Sequence, residues 1–154
     1  MLTQNRPEEI KPRAGLTFTV PDIARILIVC EKDSDPEQLK AAFGEAGLAS
    51  ESVNSITAGC EAAKSGRFQV VFCPPSMADG SWRCLIDAAN HYGLSFEVIL
   101  LAQSFDLNQW VEALQVGAFD VLDVLVDPSK AAETAKRAVG AAYLKRFRTP
   151  AGQA

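Results

Sequence analysis

The chain has 154 residues, 48% of them hydrophobic and 22% charged, which suits one well-buried core and is too short for two ordinary domains. A formal charge of -4, with basic residues concentrated only near the C-terminal end, excludes a general nucleic-acid surface, because phosphate neutralisation needs clustered Lys and Arg. No run approaches the roughly 18 apolar residues of a membrane span, and residues 1–13 hold charges and prolines instead of a signal-peptide apolar segment, so no membrane association and a cytoplasmic location are expected.

Residues 1–23, with Pro7, Pro12 and Pro21 among mixed charges, read as an extended or mobile arm in which 16–20 (Leu-Thr-Phe-Thr-Val) could pair as an extra edge strand. The core spans 24–148 and a short polar tail follows over 149–154. Residues 25–30 predict a strand and 36–46 a helix, with Asp35 and Gln38 in capping-box spacing, Pro36 at the first helical position and Gly47 as the stop. Residues 53–56 predict a weak second strand, 58–65 a short helix and 69–73 a continuous apolar strand. A helix over 81–91, a strand over 97–101 and a helix over 107–116 follow, the last with an Asp106 and Gln109 capping pair and Gly117 as its end. The fifth core strand covers 118–123, and a long last helix runs over 128–147, capped on Asp127.

Five short strands separated by helices imply a parallel sheet buried on both faces, because each crossover lays a helix over it. The fold class is therefore α/β, a doubly wound five-stranded flavodoxin-like sandwich with strand order 2-1-3-4-5. Ligand crevices in such sheets lie beyond the carboxyl ends of the strands, where Cys30, Glu31, Pro74, Ala102 and Val124 fall.

The stretch QVVFCPPSMADG over 69–80 resembles the third strand and following loop of response-regulator receiver (CheY-like) domains. That family's pattern is four apolar residues, a phosphate-accepting Asp, an apolar residue, any residue, Met, Pro and a Gly-bearing turn. Here Pro74 stands for the Asp and Ala78 for the Pro. The resemblance covers roughly residues 25–146. After Arg25-Ile26-Leu27-Ile28-Val29 it places the two acidic Mg²⁺ ligands at Cys30 and Glu31, so one of the pair survives. It places the phosphoryl-binding Thr or Ser at Ala102, the switch aromatic at Val121, and the Lys and following Pro at Val124 and Leu125. Proline offers no nucleophile for an acyl phosphate. Glu31 with nearby Asp33 is a poor cage for Mg²⁺, which demands hard oxygen ligands. The resemblance thus implies a degenerate, pseudo-receiver domain without phosphorylation, with Mg²⁺ binding lost or weak, with Glu31 as at most a weak relic ligand, and with no cofactor.

Other features have plainer readings beside the functional ones. The four cysteines, Cys30, Cys60, Cys73 and Cys84, have no Cys-x-x-Cys spacing, and His91 alone cannot complete a zinc motif, so buried thiols are expected. Cys30 and Cys73 end neighbouring strands, which leaves a thiol redox or small-molecule sensor at the altered pocket as the alternative function. His91 reads as a solvent-facing helix end. Trp110 lies at helical spacing from Ala113, Leu114 and Gly117, the mark of a core-facing stripe; exposed, it would be the best partner anchor in the chain. The last helix carries Lys136, Arg137, Lys145, Arg146 and Arg148 with Val139, Tyr143 and Phe147 at four-residue steps. The resemblance makes the fourth helix, fifth strand and fifth helix a docking or homodimer face, with Trp110, Lys136, Arg137, Tyr143 and Phe147 as its candidate residues. The expected function is a stand-alone, non-enzymatic interaction module in bacterial two-component signalling, binding unidentified signalling proteins.

Overall fold

The computed structural model describes residues 24–103, 106–123 and 127–153. The expected N-terminal arm with its edge strand over 16–20, and the positions Val124 and Leu125, lie outside the described residues, as does the side chain of Phe147. In chain order the elements are β1 (Ala24–Val29), α1 (Glu37–Glu45), β2 (Leu48–Val53), α2 (Ile56–Lys64), β3 (Val70–Cys73), β4 (Ser76–Met77), β5 (Gly80–Ser81), α3 (Arg83–Tyr92), β6 (Glu97–Ala102), α4 (Leu107–Val116), β7 (Asp120–Asp123) and α5 (Pro128–Gln153).

The parallel sheet has the order β2-β1-β3-β6-β7, the expected arrangement once the small β4-β5 hairpin is set aside. Its register brings Ile28 beside Phe72, Cys73 beside Leu100, and Ala102 beside Asp123. Strand alternation sorts the core into two layers. Leu27, Val29, Val71, Cys73, Val98 and Leu100 face α2, α3 and α4. Ile26, Ile28, Val70, Phe72 and Ile99 face α1 and α5. On that second face Phe43 of α1 meets Phe72 with ring centroids 5.2 Å apart, and α5 presents a run of small residues, Ala131, Ala132, Ala135 and Ala138.

Several boundaries differ from expectation, among them the fifth core strand, which begins at Asp120 and not at 118, and three of the differences have a local reason. The second strand is Leu48–Val53 and not 53–56, because Ser55 caps α2 by accepting from the Ala58 amide and Ile56 is already helical. The capping box at Asp35 does not form: Asp35 Oδ1 accepts from the Glu37 amide at 3.0 Å, leaving Pro36 as the N-cap without a side-chain bond. The helix expected from residue 81 begins at Arg83, since Met77 and Gly80 pair antiparallel around Ala78 and Asp79, and Trp82 is buried with its amide on the Pro75 carbonyl. The last helix runs past residue 147 to Gln153, so the expected tail over 149–153 is helical. We have no physical account of that extension through Pro150. By contrast, the Asp106 and Gln109 box of α4 forms in both directions, and Asp127 accepts from the Ser129 amide at the start of α5.

Among the four cysteines the expectation of free thiols holds for two. Cys60 on α2 and Cys84 on α3 are joined by a disulfide, which connectivity-blind spacing could not reveal.

Candidate functional site

Parallel pairing of β1, β3 and β6 puts the carboxyl ends of three neighbouring strands on one rim, which is where the resemblance set the pocket. Cys30 follows β1 and is half-buried; Glu31 beside it is exposed. Pro74 follows β3 at the centre of the sheet, and Ala102 closes β6, buried. Val121 sits one level lower, beside Leu100 in β7. The rim residues brought together are thus two thiols, Cys30 and Cys73, a proline and a methyl group, with one solvated carboxylate at the edge. Among the described residues no three His, Cys, Asp or Glu side chains gather into a metal-binding group.

The two thiols at this rim are held protonated. Cys73 is fully buried, donates to the Pro74 carbonyl at 3.1 Å, and burial pushes its thiol up to about 12, helped by the Asp79 charge. Burial also raises Cys30, against a smaller opposing effect from Lys40. Because the thiolate is the reactive form, neither is a ready redox nucleophile at neutral pH.

Asp79, at the turn of the β4-β5 hairpin, is a site residue the sequence did not single out. Its carboxylate accepts from the Ile56 amide at 3.0 Å and the Thr57 amide at 2.8 Å, the exposed donors of the first turn of α2. Those bonds, that from Thr57 foremost, hold its carboxyl below the usual value. The loop that follows β3 is therefore tied to α2, and the disulfide between Cys60 and Cys84 ties α2 to α3 as well. Gly59 lets α2 lie this close: a Cβ there would stand 2.7 Å from Val29 Cγ2.

A second concave surface lies at the β7 edge. Ala102, Asp106, Leu107, Trp110, Val121, Leu122 and Asp123 line a groove of about 430 Å³ between α4 and the end of β7. Trp110 is 38% exposed and is not core; on α4 only Ala113 is buried. Leu107 and Val111 are 69% and 41% exposed, so positions 107, 110 and 111, three and four apart, form an exposed apolar stripe on α4 that adjoins the buried Ala113 at Trp110. The clue in the sequence was a helix with more apolar positions than one core-facing stripe needs.

The remaining candidates separate. Lys136 and Arg137 are exposed on α5, and the Arg137 guanidinium reaches Asp120 at 4.0 Å and lies over the Phe119 ring at 5.9 Å, next to β7. Tyr143 lies elsewhere: it lines a cavity of about 280 Å³ with Gly66, Phe68, Phe96 and Arg146, beside the amino ends of β3 and β6. Its hydroxyl is buried there without a hydrogen-bond partner. His91 is exposed at the end of α3, edge-on to the Tyr92 ring.

No protein-family model and no curated protein sequence matches the chain. Solved structures do. The signal receiver domain of a LuxO-type repressor protein from Vibrio parahaemolyticus superposes with a TM-score of 0.73 at 17% identity, over 81% of this chain and 96% of that one. A response-regulator receiver domain from Clostridium thermocellum gives 0.68 at 20% identity, over 79% and 98%. A CheY-like receiver domain protein from Methanospirillum hungatei gives 0.68 at 18%, over 80% and 98%. At these identities the likeness is one of fold: the chain has the receiver fold of two-component response regulators. No helix among the described residues is long and apolar enough to cross a membrane.

Proposed function

We propose that this chain is a pseudo-receiver, a receiver-fold domain that takes no phosphoryl group and acts by binding signalling proteins through the α4, β7 and α5 edge. The observation that carries the reading is Pro74 at the carboxyl end of the central strand β3, where the receiver pattern needs a carboxylate. Its neighbours support it. Ala102 has no hydroxyl to bind a phosphoryl oxygen, and Glu31 is an exposed acid beside Cys30, where the receiver pattern has a second acid. Asp79 is the acid closest in sequence to Pro74 on the same loop, and its two oxygens are occupied by α2 amides. With acceptor, hydroxyl donor and one metal ligand changed together, the described rim lacks the groups with which the receiver pattern holds an acyl phosphate. The chain is on this reading not an enzyme and uses no cofactor.

The test is intact-mass measurement after incubation with acetyl phosphate and Mg²⁺. The reading expects the mass to stay unchanged. A hydroxylamine-sensitive gain of one phosphoryl group would overturn it.

A further inference from the structure

The end of the sheet opposite the rim holds the cavity of about 280 Å³ whose apolar wall is Phe68, Leu94, Phe96, Ala142 and the Tyr143 ring. Phe68 and Phe96 are buried and stand just ahead of β3 and β6, so the two rings are set by neighbouring strands of the sheet itself. Ligand pockets are concave and mostly apolar, with a few polar groups that fix orientation; a space at the small end of their range takes a compound of one ring.

The polar groups of this cavity are sorted by what already engages them. Gln69 is used: its Oε1 accepts from the Arg25 amide at 2.7 Å, and its Nε2 faces the Arg67 carbonyl at 3.5 Å. Two nearby cations are also used, Arg67 by Glu51 at 3.3 Å and Lys145 by Glu97 at 3.1 Å. Two groups are left over. The Tyr143 hydroxyl is buried with no hydrogen-bond partner, although buried polar side-chain atoms are nearly always paired. Burial raises its pKa above the ordinary 10, against a smaller opposing effect from Arg146, so at neutral pH it is an O–H donor. Arg146, one turn further along α5, lies over the Tyr143 ring at 5.8 Å, and no acid among the described residues pairs with it. A hydroxyl and a guanidinium side by side are donors suited to a carboxylate, which accepts at both of its oxygens.

Going beyond the interaction-module reading, and using no residue of the rim, we infer that this cavity binds a small aromatic carboxylate. Its ring lies against Phe68 and Phe96, and its carboxylate accepts from the Tyr143 hydroxyl and the Arg146 guanidinium.

The experiment is calorimetric titration of the full chain with benzoate, benzamide and acetate. Benzamide keeps the ring and lacks the charge; acetate keeps the charge and lacks the ring. The expected result is saturable, one-to-one binding of benzoate, about tenfold or more tighter than either of the others. Tyr143→Phe and, separately, Arg146→Gln should each weaken benzoate about fivefold or more. Tyr143→Phe should also melt at or above the parent temperature, because it removes an unpaired buried oxygen and keeps the ring, so its lost affinity is not a folding defect. No saturable binding of benzoate overturns the inference. Benzamide binding as tightly overturns the carboxylate, acetate binding as tightly overturns the aromatic body, and affinity unchanged in either variant overturns the cavity as the site. None of these outcomes alters the mass measurement at the rim, so the pseudo-receiver reading stands or falls separately.

Discussion

Asp79 receives hydrogen bonds from two amides of α2 at once, and it belongs to the very loop in which a phosphorylatable carboxylate would stand. In the sequence it was one residue of a Gly-bearing turn; its reach across 23 and 22 positions to Ile56 and Thr57 is a tertiary fact that no local pattern encodes. The pH consequence follows from the direction of its shift. The folded state holds this carboxyl below its ordinary value of 3.8, so its stabilising contribution is complete above that value and disappears as the pH falls through the lower folded value. Asp79→Asn should therefore destabilise the chain at neutral pH, and the difference from the parent should shrink as the solution is acidified below the ordinary carboxyl range. Urea unfolding of both proteins over an acid pH series measures this; a difference that stays constant into acid would show that the charge of Asp79 contributes nothing.

At the scale of the elements, α2 is set close against β1. Replacing glycine by alanine inside a helix normally stabilises by about 1 kcal/mol. At Gly59 the added methyl would meet Val29 Cγ2 at 2.7 Å, and a β-branched side chain cannot swing away cheaply. Overpacking of a core costs about 1–3 kcal/mol, so the clash outweighs propensity. Gly59→Ala should lower stability by roughly 1 kcal/mol, read as a lower urea midpoint at unchanged slope. The same scale shows why some elements were legible and others not. The box of Asp106 and Gln109 formed as its spacing implied, whereas the matching pair at Asp35 and Gln38 did not, because Asp35 found the nearer Glu37 amide. β1, β3 and β6 announced themselves as apolar runs buried on both faces. β2, Leu-Ala-Ser-Glu-Ser-Val, lies at the sheet edge with only Leu48 buried, so no apolar run marked it. Trp110 was ambiguous because the apolar positions of α4 spread beyond one core-facing stripe, and only packing decides which of them the sheet covers.

For the whole molecule, the sheet order was readable from the alternation of strands and helices, while the cross-links between distant elements were not. The Cys60 and Cys84 disulfide closes a loop across 24 positions that contains all of β3 and the hairpin tied down by Asp79. On chain-entropy grounds a loop of that size stabilises by about 3 kcal/mol, so reduction should lower the unfolding free energy by roughly that amount. Cys60→Ser should reproduce the loss and be insensitive to dithiothreitol; a parent whose melting is unchanged by reductant would contradict the estimate. This bond is also the feature least at ease with the expected cytoplasmic location, since disulfides persist chiefly in oxidising compartments. Trapping thiols with maleimide at the moment of cell lysis would show directly which state the pair holds.

The central claim is that this receiver fold works with its phosphorylation chemistry removed. Beryllofluoride with Mg²⁺ mimics an acyl phosphate at a carboxylate acceptor, and amide NMR spectra of the full chain titrated with it test the claim residue by residue. The account predicts no shift at Cys30, Glu31, Ser76 or Ala102, and none along α4. Saturable shifts at those rim amides, propagating to Trp110, would contradict it.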